Sequence, residues 1–154
     1  MRNAWVLSQD AELHLRGGVR VRVTWPPATP AGPPALLVFV QPPADGALVR
    51  ELAVRLPAVV LAVEEGSPAE ALEWGADHAA ELGADPGRLI LAGDHAGAGT
   101  VAALARQARD RGWPPIDHVV LIDRTTRVEA LAGMLQVASS ANHSLGKAAG
   151  IRPG

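Results

Sequence analysis

Residues 89–97, with the sequence LILAGDHAG, decide the fold of this protein. The first four residues are apolar without interruption, which is typical of a strand buried on both faces of a sheet. A short turn containing two glycines follows, and beyond it begins a segment with the apolar spacing of a helix. The stretch therefore predicts a buried strand, a tight turn and a helix in direct succession.

Three further apolar runs extend this pattern along the chain. They lie at residues 35–40, 58–63 and 118–122, and segments of helical period separate the runs. Apolar strands that alternate with helices indicate a mostly parallel sheet with helices on both faces. The predicted fold class is α/β, in a single domain over residues 1–138 that is followed by a small, polar and flexible tail at 139–154.

An antiparallel hairpin is predicted ahead of these strands. Residues 11–25 alternate between apolar side chains at odd positions and polar ones at even positions, which is the period of a half-buried strand pair. A two-residue turn at Gly17 and Gly18 would put the two apolar sets on opposite faces, whereas a three-residue loop at 16–18 pairs 15 with 19 and 13 with 21. The register therefore favours the three-residue loop, with one glycine in the left-handed conformation.

The second predicted helix carries the clearest boundary signals. Ser67 is placed to cap it, Pro68 takes the first helical position, and Glu70 completes a capping box. Gly83 suits the exit from the helix.

Composition excludes several classes of function. The 154 residues carry a formal net charge of −2, so the chain has no excess of positive charge that would attract nucleic acid or an anionic membrane surface. It contains no cysteine, which excludes disulfides and thiolate metal sites and suits a reducing compartment.

Apolar runs end after about six residues, far short of the roughly 20 that a spanning helix needs, and polar residues interrupt the amino terminus before a signal peptide could form. We expect a cytoplasmic protein, and the richness in alanine, arginine and proline is typical of a GC-rich bacterial genome.

The longer stretch at residues 81–99, ELGADPGRLILAGDHAGAG, resembles the hormone-sensitive-lipase-like carboxylesterases of the α/β-hydrolase fold. In that family a helix ends in a similar segment, a buried strand follows, and the nucleophile elbow has the sequence G-D-S-A-G-G. The resemblance extends over about residues 11–125 and is strongest from 71 to 120. It implies the spatial strand order 1-2-4-3-5-6, with the hairpin antiparallel and right-handed crossovers between the parallel strands.

The elbow differs from the family at its central residue. A sharp turn there lifts one side chain clear of the sheet at a helix amino terminus, and Gly93 and Gly97 flank the turn where a Cβ atom would be crowded. Asp94 and Ala96 occupy elbow positions with a structural role. His95 stands where the family has its nucleophilic serine. The acyl-enzyme route of the family is therefore not open to this residue.

Other parts of the family's catalytic machinery also have no match. The oxyanion loop of the family, H-G-G-G, relies on backbone N–H groups, whereas residues 41–43 here are Gln-Pro-Pro and proline has no N–H. The loops that carry the family's acid and histidine have no counterpart, because the sequence ends about thirty residues beyond the run at 118–122. The family's substrate-covering cap is also largely absent. The resemblance thus implies a truncated, catalytically degenerate member.

His95 has two interpretations. The positive end of a helix dipole disfavours imidazolium, so His95 is expected to be neutral and able to act as a base or nucleophile. A base needs an orienting partner, however, and no carboxylate can be assigned to this role from the sequence. We therefore favour the interpretation that His95 is a relic without a chemical role.

Other polar residues are weaker candidates. Gln41 and Asp123 directly follow predicted strands, at the edge of the sheet where α/β folds place function, and both are candidates for a pocket wall. Glu64 and Glu65 share that edge, but a solvated loop is the simpler interpretation. No metal or cofactor is expected, because no histidines have the spacing of a metal site. The remaining histidines are predicted to be surface residues: His14, His78, His118 and His143.

Two classes of function follow. The favoured hypothesis is a non-catalytic protein that binds a protein partner or small-molecule ligand, or assembles with itself. The alternative is an enzyme with altered chemistry, in which His95 serves in carboxylic ester hydrolysis or in acyl or phosphoryl transfer.

The strand at 118–122 also predicts an interaction. In the family the matching strand is interior, so here it would leave an open edge. The amphipathic segment at 127–138, with apolar Val128, Leu131 and Leu135, can cover one face of the sheet but cannot supply ladder hydrogen bonds. We therefore expect a two-fold homodimer, or a protein partner, at this edge.

Overall fold

The α/β class is confirmed by a computed structural model, which describes residues 9–27, 32–40, 47–56, 58–94 and 96–122. Strands and helices alternate along the part of the chain that follows the hairpin, as the apolar runs predict. The elements are β1 (Gln9–Leu15), β2 (Val19–Trp25), β3 (Ala35–Val40), α1 (Ala47–Arg55), β4 (Ala58–Glu65), α2 (Pro68–His78), β5 (Asp85–Asp94), α3 (Ala98–Arg111) and β6 (Ile116–Ile122).

All these strands belong to one sheet, in the order β1-β2-β4-β3-β5-β6. The pairs β1–β2 and β2–β4 are antiparallel, whereas β3–β4, β3–β5 and β5–β6 are parallel. The order implied by the family resemblance is therefore confirmed. β3 is buried along its whole length because helices cover both faces of the sheet.

The hairpin has the register that its alternating pattern predicts. Leu15 lies opposite Val19 and Leu13 opposite Val21, which confirms the three-residue loop. Both Gly17 and Gly18 have a φ of 75°, whereas the sequence interpretation required only one left-handed glycine.

The polar ends of three strands extend beyond the apolar runs that predict them. β4 continues to Glu65, β5 begins at Asp85 and β6 begins at Ile116. Strand pairing explains the added length, since Asp85 pairs with Ala35 and Arg20 pairs with Glu65 across the sheet. Ladder hydrogen bonds use the backbone, so polar side chains at a strand end do not stop them.

The start of α2 is also as predicted. The Glu70 N–H donates to Ser67 Oγ at 3.2 Å, and Pro68 is the first helical residue. The helix ends at His78, and Gly83, with a φ of 83°, lies in the turn that follows it.

Two apolar layers hold the sheet between the helices. Leu72 of α2 and Val101 of α3 pack on one face with the odd-numbered valines of β2. Leu52 of α1 packs on the other face with Phe39 of β3. Since both faces are packed, the carboxyl ends of the neighbouring strands β3, β5 and β6 are held in fixed positions relative to one another.

Three predictions cannot be compared with this architecture. The boundary at residue 138, the tail at 139–154 and the amphipathic segment at 127–138 lie outside the described residues. Within the described part of the chain, no helix has the length and apolar character needed to cross a membrane.

Candidate functional site

The turn between β5 and α3 is the candidate site. The Gly97 N–H donates both to the backbone oxygen of Asp94, at 3.0 Å, and to its side-chain Oδ1, at 2.9 Å. Gly97 caps α3, and its carbonyl oxygen accepts from the Val101 N–H at 2.9 Å. Asp94 therefore closes the turn with its own side chain.

Gly93 is required by a close contact with α3. A Cβ atom at this position would lie 2.5 Å from Val101 Cγ2 and 3.5 Å from the Gly97 carbonyl oxygen. The first distance is well inside van der Waals contact, so only glycine lets α3 begin directly over the end of β5. Gly97 itself has a φ of −90°, a value open to other residues.

The hydrogen bond from Gly97 to Asp94 gives a first testable prediction. Asp94→Ala removes the Oδ1 acceptor and should lower the free energy of unfolding by about 1 kcal/mol. Asp94→Asn retains a side-chain oxygen and should lose less than half as much. Urea denaturation followed by tryptophan fluorescence measures both variants, and an equal loss in the two would contradict this role for Asp94.

The three residues with the strongest functional interest lie outside the described residues: Gln41, His95 and Asp123. The strands that precede them are nevertheless adjacent in the sheet. Val40 pairs with Gly93, and Asp94 pairs with Ile122, the last residue of β6. The described strands that lead up to these three positions therefore end side by side at one edge of the sheet. Of the other elbow residues, Ala96 is exposed and Gly97 is buried.

Glu64 and Glu65 do not form the solvated loop that the sequence interpretation favoured. Both belong to β4 and pair with arginines of the neighbouring strand. Glu64 Oε2 accepts from Arg22 Nε at 3.2 Å, and Glu65 Oε1 lies 3.4 Å from Arg20 Nη2. The hydrogen bond and the charge of Glu64 raise the pKa of Arg22. These carboxylates stabilise the contact between β2 and β4 and are not part of the turn.

Two of the histidines predicted as surface residues are partly buried. His78 stacks on Trp74, with ring centroids 4.4 Å apart, and its Nδ1 donates to the Trp74 carbonyl oxygen at 2.8 Å. The side chain of His118 is only 15% exposed, and its Nδ1 lies 3.1 Å from Asp117 Oδ2. The surface assignment is wrong for these two because packing covers them, and it holds for His14, whose side chain is 75% exposed. His143 lies outside the described residues.

The described residues contain no group of three or more histidine, aspartate or glutamate side chains arranged to hold a metal ion. What they do contain at the turn is a rigid support: a carboxylate that closes it, a glycine without which it could not form, and a helix that begins there. Val101, whose methyl group lies over Gly93, was missed by the sequence analysis. Only the folded chain brings this residue to the elbow.

Comparison with known proteins identifies the family of this turn. The sequence profile of the family described as alpha/beta hydrolase fold matches residues 67–146, just over half of the chain. The match includes α2, β5, the turn, α3 and β6.

Two mycobacterial enzymes are similar in sequence. Esterase LipI of Mycobacterium tuberculosis is 36% identical over 121 residues, which cover 65% of this chain and 38% of that protein. Carboxylesterase NlhH of the same species is 33% identical over 130 residues, which cover 72% of this chain and 41% of that protein. The chain thus spans about two fifths of the length of these relatives.

A solved structure agrees with this assignment. Esterase LipW from Mycobacterium marinum superposes with a TM-score of 0.60 at 29% identity, over 74% of this chain and 42% of that chain. The sheet order, the strand–turn–helix at residues 93–97 and these similarities lead to one conclusion. The chain belongs to the hormone-sensitive-lipase-like carboxylesterase family of the α/β-hydrolase fold.

Proposed function

We propose that this chain is a non-catalytic member of its family, with a role in binding or assembly. The proposal rests on which residues form the elbow. The turn retains Gly93 and Asp94 in their supporting roles, yet the residue between Asp94 and Ala96 is a histidine where the family has serine.

The chemistry of the family explains why this one position matters. A serine esterase forms an acyl-enzyme on its hydroxyl, and a neighbouring histidine takes the proton. Loss of the nucleophile alone in a serine hydrolase lowers kcat on the order of 10⁶-fold. The sequence Gln-Pro-Pro at residues 41–43 adds to this, since two prolines remove N–H groups from the place where the family stabilises the oxyanion.

An altered carboxylesterase is the second candidate. It is favoured by the relatives, which are named esterase or carboxylesterase. In this alternative His95 acts at the start of α3, either as a base on a bound ester or as an acceptor of an acyl or phosphoryl group. The setting that we propose for either function is the cytoplasm of a bacterium, supported by the cysteine-free composition and the mycobacterial relatives.

Turnover of p-nitrophenyl acetate and butyrate separates the two candidates. We expect the full chain and its His95→Ala variant to hydrolyse both esters at the rate of buffer alone. A serine esterase of the family serves as the positive control, and circular dichroism confirms that the variant is folded. Turnover by the full chain at about ten times the rate of His95→Ala or more would overturn the non-catalytic proposal.

Restoring the missing hydroxyl gives a second, stricter test. His95→Ser should also remain at background and show no burst of p-nitrophenol, because catalytic groups of this kind act as a unit and Pro42 and Pro43 lack the N–H groups that the family uses for the oxyanion. A clear burst would mean that the chain provides its own base and oxyanion donors. In that event Gln41→Ala in the same background asks whether the amide of Gln41 is one of those donors.

A further inference from the structure

We draw no further inference here: the strongest candidate, the exposed apolar face of β6 with Val119 and Leu121, lies at an edge of the described sheet, and nothing in the structure shows what covers it.

Discussion

Gly66→Ala is expected to lower the free energy of unfolding by about 3 kcal/mol, although Gly66 lies at the surface. Gly66 has a φ of 96°, a conformation that alanine adopts only with strain. In addition, a Cβ atom there would lie 2.7 Å from Val19 Cα and 2.8 Å from the Gly18 carbonyl oxygen. Both are backbone atoms of the hairpin. The hairpin would therefore have to move away from the turn between β4 and α2 to remove these close contacts.

Gly83→Ala is the matched control for this prediction. Gly83 has a φ of 83°, and no heavy atom lies within 4 Å of the position its Cβ would occupy. Its replacement should therefore have only the conformational effect, about 1 kcal/mol. Urea denaturation at a fixed protein concentration gives both values. Equal losses in the two variants would contradict a contact between the hairpin and the start of α2.

Phe39→Ala should have the largest effect of any core substitution considered, a loss of about 3–5 kcal/mol. Phe39 is the only phenylalanine of the chain and is fully buried in β3. Its partners across the sheet are small, Ala62 on β4 and Ala92 on β5, so neither neighbour can fill the space that the ring leaves. Small domains are stable by only about 5–15 kcal/mol, so this loss would remove much of the total.

Phe39→Leu is the graded control, because it keeps most of the volume and should lower the free energy of unfolding by about 1 kcal/mol. Thermal melting followed by circular dichroism at a fixed concentration compares the two variants. If Phe39→Ala lowered the free energy of unfolding by less than Phe39→Leu does, α1 would have to collapse onto the sheet and fill the cavity. That result would contradict the packed layer between α1 and β3.

Local sequence pattern was sufficient for several elements. The hairpin register follows from alternation together with a three-residue loop, because a shift of one residue would reverse every side chain. The start of α2 follows from Ser67 and Pro68, whose effects act within one helical turn. The elbow followed from residues 89–97 because its turn is also local, and Asp94 closes it through a residue only three positions away.

The strand order has a different origin. Nothing in the apolar runs states that β4 lies between β2 and β3, and that order came from the resemblance of residues 81–99 to a known family. The same resemblance pointed to the elbow as the candidate site. It also drew attention to His95, because the residue matters chiefly by its difference from serine at a position the family defines.

By itself, the sequence determined the fold class, the register of the hairpin and the start of α2, since each depends on neighbours along the chain. Only the tertiary structure decided the role of residues whose partners are distant in sequence. It moved Glu64 from a predicted loop into an ion pair with Arg22, 42 positions away, and it placed Gly66 against the hairpin. It also showed that Val119 and Leu121 are exposed on β6, at one edge of the described sheet. The physical reason is that an apolar run indicates burial only on average, while the exposure of each side chain depends on which strands and helices lie beside it in the folded protein.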